Sequence, residues 1–440
     1  MELQKLKDVL RESGVVGAGG AGFPTYAKLS DKADTVILNC AECEPLLRLH
    51  RQLLEEYTTE ILSGLSEILA ATGAKQGIIA LKAHYKNAVR ALQKEIGEYP
   101  GLSIKTLDSV YPAGDELILI HEVTGRVVKP GSLPITQGVT VCNVETVYNV
   151  YRALSGKPVT HKYVTVTGEV KNPVTLLVPI GTQFSELIAA AGGTTREDVA
   201  LISGGPMMGG LADENDVVTR TTNAILVLPA QHNVILGKQR NFGVHLRRAM
   251  SVCCQCHSCT DLCSRHLLGY PVQPHMVMRV LSNGGRGDES VLDGAMFCSG
   301  CGLCEDYACP QGLSPKALIA EMKAEARRNG KKPRDDFEAA PITEDAAWKK
   351  VSVHRLTQRL GLAAYDGEAP IEEGFSTNTV KLMLSQHIGA PATPIVEVGQ
   401  VVTEGQTVAK ASEGALSVDI HASIAGKVIA VSSKYIKLKA

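Results

Sequence analysis

Two runs of cysteine constrain this chain more than any other feature. Cys253, Cys256, Cys259 and Cys263 read C-x2-C-x2-C-x3-C; Cys298, Cys301, Cys304 and Cys309 read C-x2-C-x2-C-x4-C, closed by Pro310. Thiolates two residues apart fold around one cubane, because a tight loop turns successive side chains inward. The fourth cysteine of each run normally reaches across to the other cluster. The spacing therefore assigns Cys253, Cys256, Cys259 and Cys309 to one [4Fe–4S] cluster, and Cys298, Cys301, Cys304 and Cys263 to a second. Two details depart from the pattern: Ser264 stands where a proline is usual, and Cys254 is an extra thiol. A zinc ribbon uses two separated pairs rather than three consecutive short steps. A disulfide framework needs an oxidising compartment.

The rest of the composition bounds the protein. A chain of 440 residues holds about two to four domains. A net charge of −1 leaves no nucleic-acid or anionic-membrane footprint. No apolar run is long enough to span a bilayer. Residues 2–12 place Leu3, Leu6, Val9 and Leu10 on one stripe, an amphipathic helix rather than a signal peptide. The remaining cysteines, Cys40, Cys43 and Cys142, fit a reducing cytosol.

Taken in order, residues 1–157 alternate strand and helix, which argues a mainly parallel α/β sheet. A glycine loop, GVVGAGGAGFP at 14–24, opens it. Such a loop before a helix cradles phosphate on backbone N–H groups. Helices are expected over 46–72 and 85–96, with strands at 35–38, 77–81 and 103–107. Residues 158–232 read as a small α+β domain, with Met207 and Met208 as packing residues. Residues 240–330 hold the cysteine runs and end in a helix begun by Ser314 and Pro315. His245, His257 and His266 read as structural. Residues 331–374 are a charged linker and a helix. Residues 375–440 are glycine-punctuated strands.

Several segments carry a resemblance. GVVGAGGAGFPTYAKL (14–29), NCAECEP (39–45), YPAGDE (111–116) and NVET (143–146) resemble, in the same order, the FMN/NADH-binding flavoprotein subunit of respiratory complex I. That resemblance implies FMN held by Gly17, Gly19, Gly20, Lys28, Asn39, Glu42, Gly114, Asp115, Glu116, Asn143 and Thr146. It implies Phe23 stacking on the nicotinamide of NADH, the electron donor. Ala18, Ala41 and Cys142 stand where that family has arginine, aspartate and asparagine. SQHIGAP (385–391) resembles the RnfC component of the Rnf electron-transport complex, and the last domain resembles a barrel-sandwich hybrid. No acceptor lysine stands near Ala415, so no lipoyl or biotin arm is expected.

With the barrel-sandwich domain last, the domain order is similar to the cobalamin reductases of propanediol-utilisation microcompartments. The implied architecture is a complex I flavoprotein-like α/β domain, a soluble-ligand-binding β-grasp domain, a ferredoxin-like dicluster helical domain and a barrel-sandwich hybrid. The implied activity is NADH oxidation with reduction of cobalamin's cobalt, sustaining a B12-dependent diol dehydratase in the cytoplasm or inside a microcompartment. Two rivals stay open on the residues alone: an RnfC-like component passing electrons to a protein partner, and a scaffold docked to a shell with structural clusters. No protein acid or base is assigned, and no corrin-ligand motif is evident.

Overall fold

The computed structural model describes residues 1–285 and 287–440. Its first sheet comprises β1 (Thr35–Cys40), β2 (Gln76–Lys82), β3 (Leu102–Leu107) and β4 (Val139–Asn143). Strands β1 and β4 are buried almost throughout, as expected where both faces are covered. All pairings are parallel, in the order β3-β2-β1-β4. The chain steps outward from β1 through β2 to β3, then crosses to β4 on the other side. That reversal opens a crevice beyond the carboxyl ends of β1 and β4, where open α/β sheets take their ligands.

Helices α1 (Leu3–Glu12), α2 (Leu49–Glu56), α3 (Thr58–Thr72), α4 (Lys86–Glu95), α5 (Glu116–Thr124) and α6 (Val144–Leu154) complete the domain. The single helix expected over 46–72 is two. Tyr57 leaves helical conformation between them, and its ring lies 4.6 Å from that of Tyr148 on α6. Tertiary packing overrides local helix preference there.

The second sheet holds β5 (His161–Gly168), β6 (Val174–Pro179), β7 (Val199–Ser203), β8 (Gly210–Ala212), β9 (Ala224–Pro229) and β10 (Ile371–Glu372). Their order is β10-β6-β5-β9-β7-β8. Helix α7 (Phe184–Ala190) covers it, packing Phe184 and Leu187 on Val164, Val166 and Ile225. Met207 is fully buried, but Met208 is 60 % exposed, so only the first packs as expected.

The cluster region is helical: α8 (Asn233–Gln239), α9 (Phe242–Val252), α10 (Pro274–Ser282), α11 (Glu289–Ala295) and α12 (Pro315–Arg328). The following 331–374 segment is more than a tether. Ala340 N–H donates to the Gly269 carbonyl at 2.8 Å, Lys331 meets Asp293 at 2.6 Å, and Val351–Ser352 pairs with Val110–Tyr111. Its strand β10 then extends the second sheet. The charges of residues 331–341 lead one to expect a solvated tether there; their side chains are mostly exposed, but the backbone is anchored at Ala340.

The last domain folds as two small antiparallel sheets. Val380, Leu382, Ile436 and Leu438 join one apolar cluster with Leu6, Leu10 and Val15 of the first domain. A shared core of this kind fixes the terminal domain against the first.

Candidate functional site

The crevice is built by two asparagines. Asn39 and Asn143 stand at the carboxyl-terminal ends of β1 and β4 and are register partners. Each amide is held by the backbone. Asn39 donates to the Gly114 carbonyl at 2.9 Å and accepts from Ala41 N–H at 3.1 Å. Asn143 caps α6, accepting from Glu145 and Thr146 N–H, which also fixes its amide orientation.

The glycine loop folds over this edge. Gly17 N–H donates to the Phe23 carbonyl at 2.9 Å, and Ala18 N–H donates to Thr146 Oγ1 at 2.9 Å. A side chain at Gly19 would collide with the Asn143 amide, whereas one at Gly20 would meet no protein atom within 4 Å. The first glycine lets the loop approach the sheet; the second leaves open the space a ligand needs. From above, Ile388 N–H donates to the Ala21 carbonyl at 3.2 Å, so the 385–391 segment roofs the loop. Phe23 is 38 % exposed, presenting an aromatic face rather than filling a core.

Charged groups surround the crevice. Lys28 reaches Glu116 at 2.5 Å and the Val141 carbonyl at 2.8 Å. Glu42 is buried and accepts from His50 N–H at 3.1 Å, at the start of α2, where the helix dipole favours an anion. His50 Nε2 lies 3.0 Å from Asn143 Nδ2. Sequence reasoning missed His50; its place in the first helical turn after NCAECEP was the available signal. Gly114 is required by the protein itself, since a Cβ there would stand 2.7 Å from the Ala41 carbonyl. Asp115 is committed elsewhere: it caps α5 and meets Arg265 of the cluster region at 2.7 Å. Burial pushes the thiols of Cys142 up to about 11 and Cys43 up to about 12, as befits packing residues.

The cysteine runs line two cavities. Cys253, Cys256, Cys259 and Cys309 surround one, with Cys254 beside them; Cys263, Cys298, Cys301 and Cys304 surround the other. The fourth cysteine of each run thus faces the other run's three, the grouping the spacing assigned. Burial, then the neighbouring Cys309, Cys253 and Cys256, pushes the Cys259 thiol up to about 12; burial, then Cys301, does the same to Cys263. Holding such groups as thiolates calls for a strongly cationic partner, which iron supplies. The residues present therefore fit cubane clusters.

The second cavity abuts the crevice. Tyr111 Oη donates to the Cys301 carbonyl at 2.6 Å, and Arg265 beside it pairs with Asp115. Glu44, one residue past the Cys43 of NCAECEP, accepts from Met207 and Met208 N–H at 2.9 Å each. Lys316 donates to the Met207 carbonyl at 2.7 Å. Glu44, Met207 and Lys316 thus join three domains. Pro274 and His275, adjacent on α10, each line one of the two cavities.

Known protein families match four parts of the chain. Residues 10–152 match the Nuo51 FMN-binding domain, 163–210 an SLBB domain, 252–314 a 4Fe-4S dicluster domain and 363–440 the RnfC barrel sandwich hybrid domain. The cobalamin reductase PduS of Salmonella typhimurium is 42 % identical over 439 residues, 99 % of this chain and 96 % of the relative. The same protein of Citrobacter freundii is 42 % identical over 438 residues, 99 % of this chain and 96 % of that one. The C component of the Na(+)-translocating ferredoxin:NAD(+) oxidoreductase complex of Acetobacterium woodii is 35 % identical, over 61 % of this chain and 59 % of its own. A chain of an NAD+-reducing [NiFe]-hydrogenase shares the fold, with a TM-score of 0.50, 21 % identity, 79 % of this chain and 66 % of that chain covered.

Proposed function

The chain belongs to the PduS family of cobalamin reductases, and on that premise we propose that it oxidises NADH at FMN and passes electrons through two [4Fe–4S] clusters to the cobalt of cobalamin. FMN converts a two-electron hydride into single electrons, and cubanes carry them one at a time. Asn39, Asn143, Glu42, Lys28, Glu116 and Thr146 position the flavin, Gly20 leaves room for it, and Phe23 offers its face to the nicotinamide. Cys263, Cys298, Cys301 and Cys304 hold the cluster nearer the crevice; Cys253, Cys256, Cys259 and Cys309 hold the farther one.

The observation that carries this reading is continuity. Tyr111 directly, Asp115 through Arg265, and Glu44 through Met207 and Lys316 reach from the crevice side to the cavity of Cys263, Cys298, Cys301 and Cys304, and α10 links that cavity to the one of Cys253, Cys256, Cys259 and Cys309. The family resemblance extends the proposal to service of a B12-dependent diol dehydratase, in the cytoplasm or inside a microcompartment. No helix of the described residues is long and apolar enough to cross a membrane.

Gly20→Trp tests it. The indole meets no protein atom at its root, so the fold should survive. The variant should lose FMN and NADH oxidation while keeping iron and sulfide at the wild-type level, about eight of each for two cubanes. Wild-type FMN affinity in this variant would place the flavin elsewhere.

A further inference from the structure

A cleft of about 850 Å³ separates the β-grasp domain from the cluster region. That volume lies in the range of small-molecule sites, roughly 300–1,000 Å³, and a concave wall suits a small molecule better than a flat protein partner. One wall carries Gly210 of β8 with Gly237 and Lys238 of α8; the other carries Lys316 of α12 and Cys309. Cys309 lines both this cleft and the cavity it shares with Cys253, Cys256 and Cys259. An occupant would therefore sit against a cysteine of the cluster farther from the flavin crevice, where electrons leave.

The cleft also holds polar atoms without partners. His245 is 6 % exposed and lines it, and its Nδ1 is buried with no hydrogen bond. Arg248, beside it in the lining, has a buried Nη1 in the same state. Buried polar groups are nearly always paired, so both point to a ligand that completes them. Arg240 and Arg359 add positive charge, and Phe242, 40 % exposed, adds an apolar face. A corrin presents apolar ring faces, a rim of amides and one phosphodiester anion; Phe242 suits the first, the carboxylates of Glu305, Asp306 and Glu321 in the same lining can accept from the amides, and the arginines suit the anion.

We propose that cobalamin docks in this cleft and takes its electrons through the cluster wall at Cys309, an inference that rests on the reductase reading above. Each electron converts the Co(III) of aquocobalamin to Co(II), and the aqua ligand leaves as water. One NADH supplies two such electrons, giving NAD+, one proton and two cob(II)alamins.

The test uses cluster-loaded, flavin-loaded full-length protein. Gly237→Trp projects an indole into the cleft from a position whose Cβ meets no atom within 4 Å. Equilibrium dialysis with hydroxocobalamin, without NADH, should show binding to wild type and its loss in Gly237→Trp. NADH:ferricyanide activity should be unchanged, showing that flavin and NADH sites are intact. Arg248→Gln should raise the KM for hydroxocobalamin about tenfold, the equivalent of about 1.4 kcal/mol, and leave that for cobinamide, which lacks the phosphodiester, unmoved. Wild-type cobalamin binding and reduction in Gly237→Trp would overturn the proposal while leaving the reductase reading intact. Wild type that oxidises NADH with ferricyanide but reduces cobalamin only through an added protein would overturn both.

Discussion

The two thiol cavities share a backbone plan but differ in how they are built. In the inner run, Gly300 and Gly302 occupy left-handed conformations, at φ 74° and 85°. The matching positions of the outer run are Gln255 and His257, left-handed at φ 53° and 68° despite their side chains. Such a conformation costs a non-glycine residue roughly 1–2 kcal/mol. Each outer residue has a compensating contact: Gln255 donates to Cys253 Sγ at 3.3 Å and to the His275 carbonyl at 3.2 Å, and His257 stacks on His275 at 3.9 Å. The inner run needs no side chain for this, because Gly300 N–H itself donates to Cys298 Sγ at 3.3 Å. The burial differs as well. Cys263, Cys301 and Cys304 are buried under the flavin domain, while Cys254 and Cys256 are exposed. Equivalent motifs have thus been fitted to different neighbours, one to a donor domain and one to the open cleft.

The largest expected effect separates the two cavities outright. Cys298→Ser should stop electron flow from the flavin to either cluster, whereas Cys309→Ser should spare the inner cluster and stop only delivery to cobalamin. Iron content should fall by about half in each, as one cubane of two requires. Electron paramagnetic resonance of the reduced proteins tells which signal is lost. Loss of the inner signal in Cys309→Ser would reverse the assignment.

A smaller effect is expected at the joint between crevice and inner cavity. Asp115 and Arg265 are both nearly buried, at 11 % and 12 % exposure. Removing one partner leaves an uncompensated buried charge, so Arg265→Met should destabilise by about 3 kcal/mol. Thermal unfolding should report it, and flavin-to-cluster transfer in stopped flow should slow. An unchanged transfer rate would show that this ion pair holds no part of the path.

The smallest effect sharpens the contrast between the loops. Gln255→Gly gives the outer run the inner run's residue. Relief of the left-handed strain is offset by loss of the two side-chain hydrogen bonds, so stability in chemical denaturation should stay within about 1 kcal/mol of wild type. Losing a hydrogen bond to sulfur removes positive charge beside the outer cluster, so its reduction potential should fall. Redox titration should show the inner potential unmoved; a fall in both would mean that the clusters are not separately tuned.

Much of this protein is legible in its residues because the determinants are local. Cysteine spacing fixes which thiols share a loop, and the alternation of strands and helices gives the parallel sheet. The glycine loop and three further segments point to the flavin crevice; Gly19 stands where close approach to Asn143 demands it, and Gly20 where the space beside the loop is open. What the residues do not carry is which surfaces meet. Asp115 belongs to a motif that implies a cofactor contact, yet its carboxylate meets Arg265, 150 positions away. The place of His50 in a first helical turn is legible, but its contact with Asn143, 93 positions away, is not. Residues 331–341 read as a tether because their charges are solvated, but the backbone of 331–374 pairs with three other domains. The cleft beside Cys309 is invisible in sequence, since its walls come from segments that only packing brings together. Local chemistry is written in short patterns, which survive being read one stretch at a time. Contacts between domains depend on complementary surfaces assembled from distant stretches, and only the tertiary structure decides them.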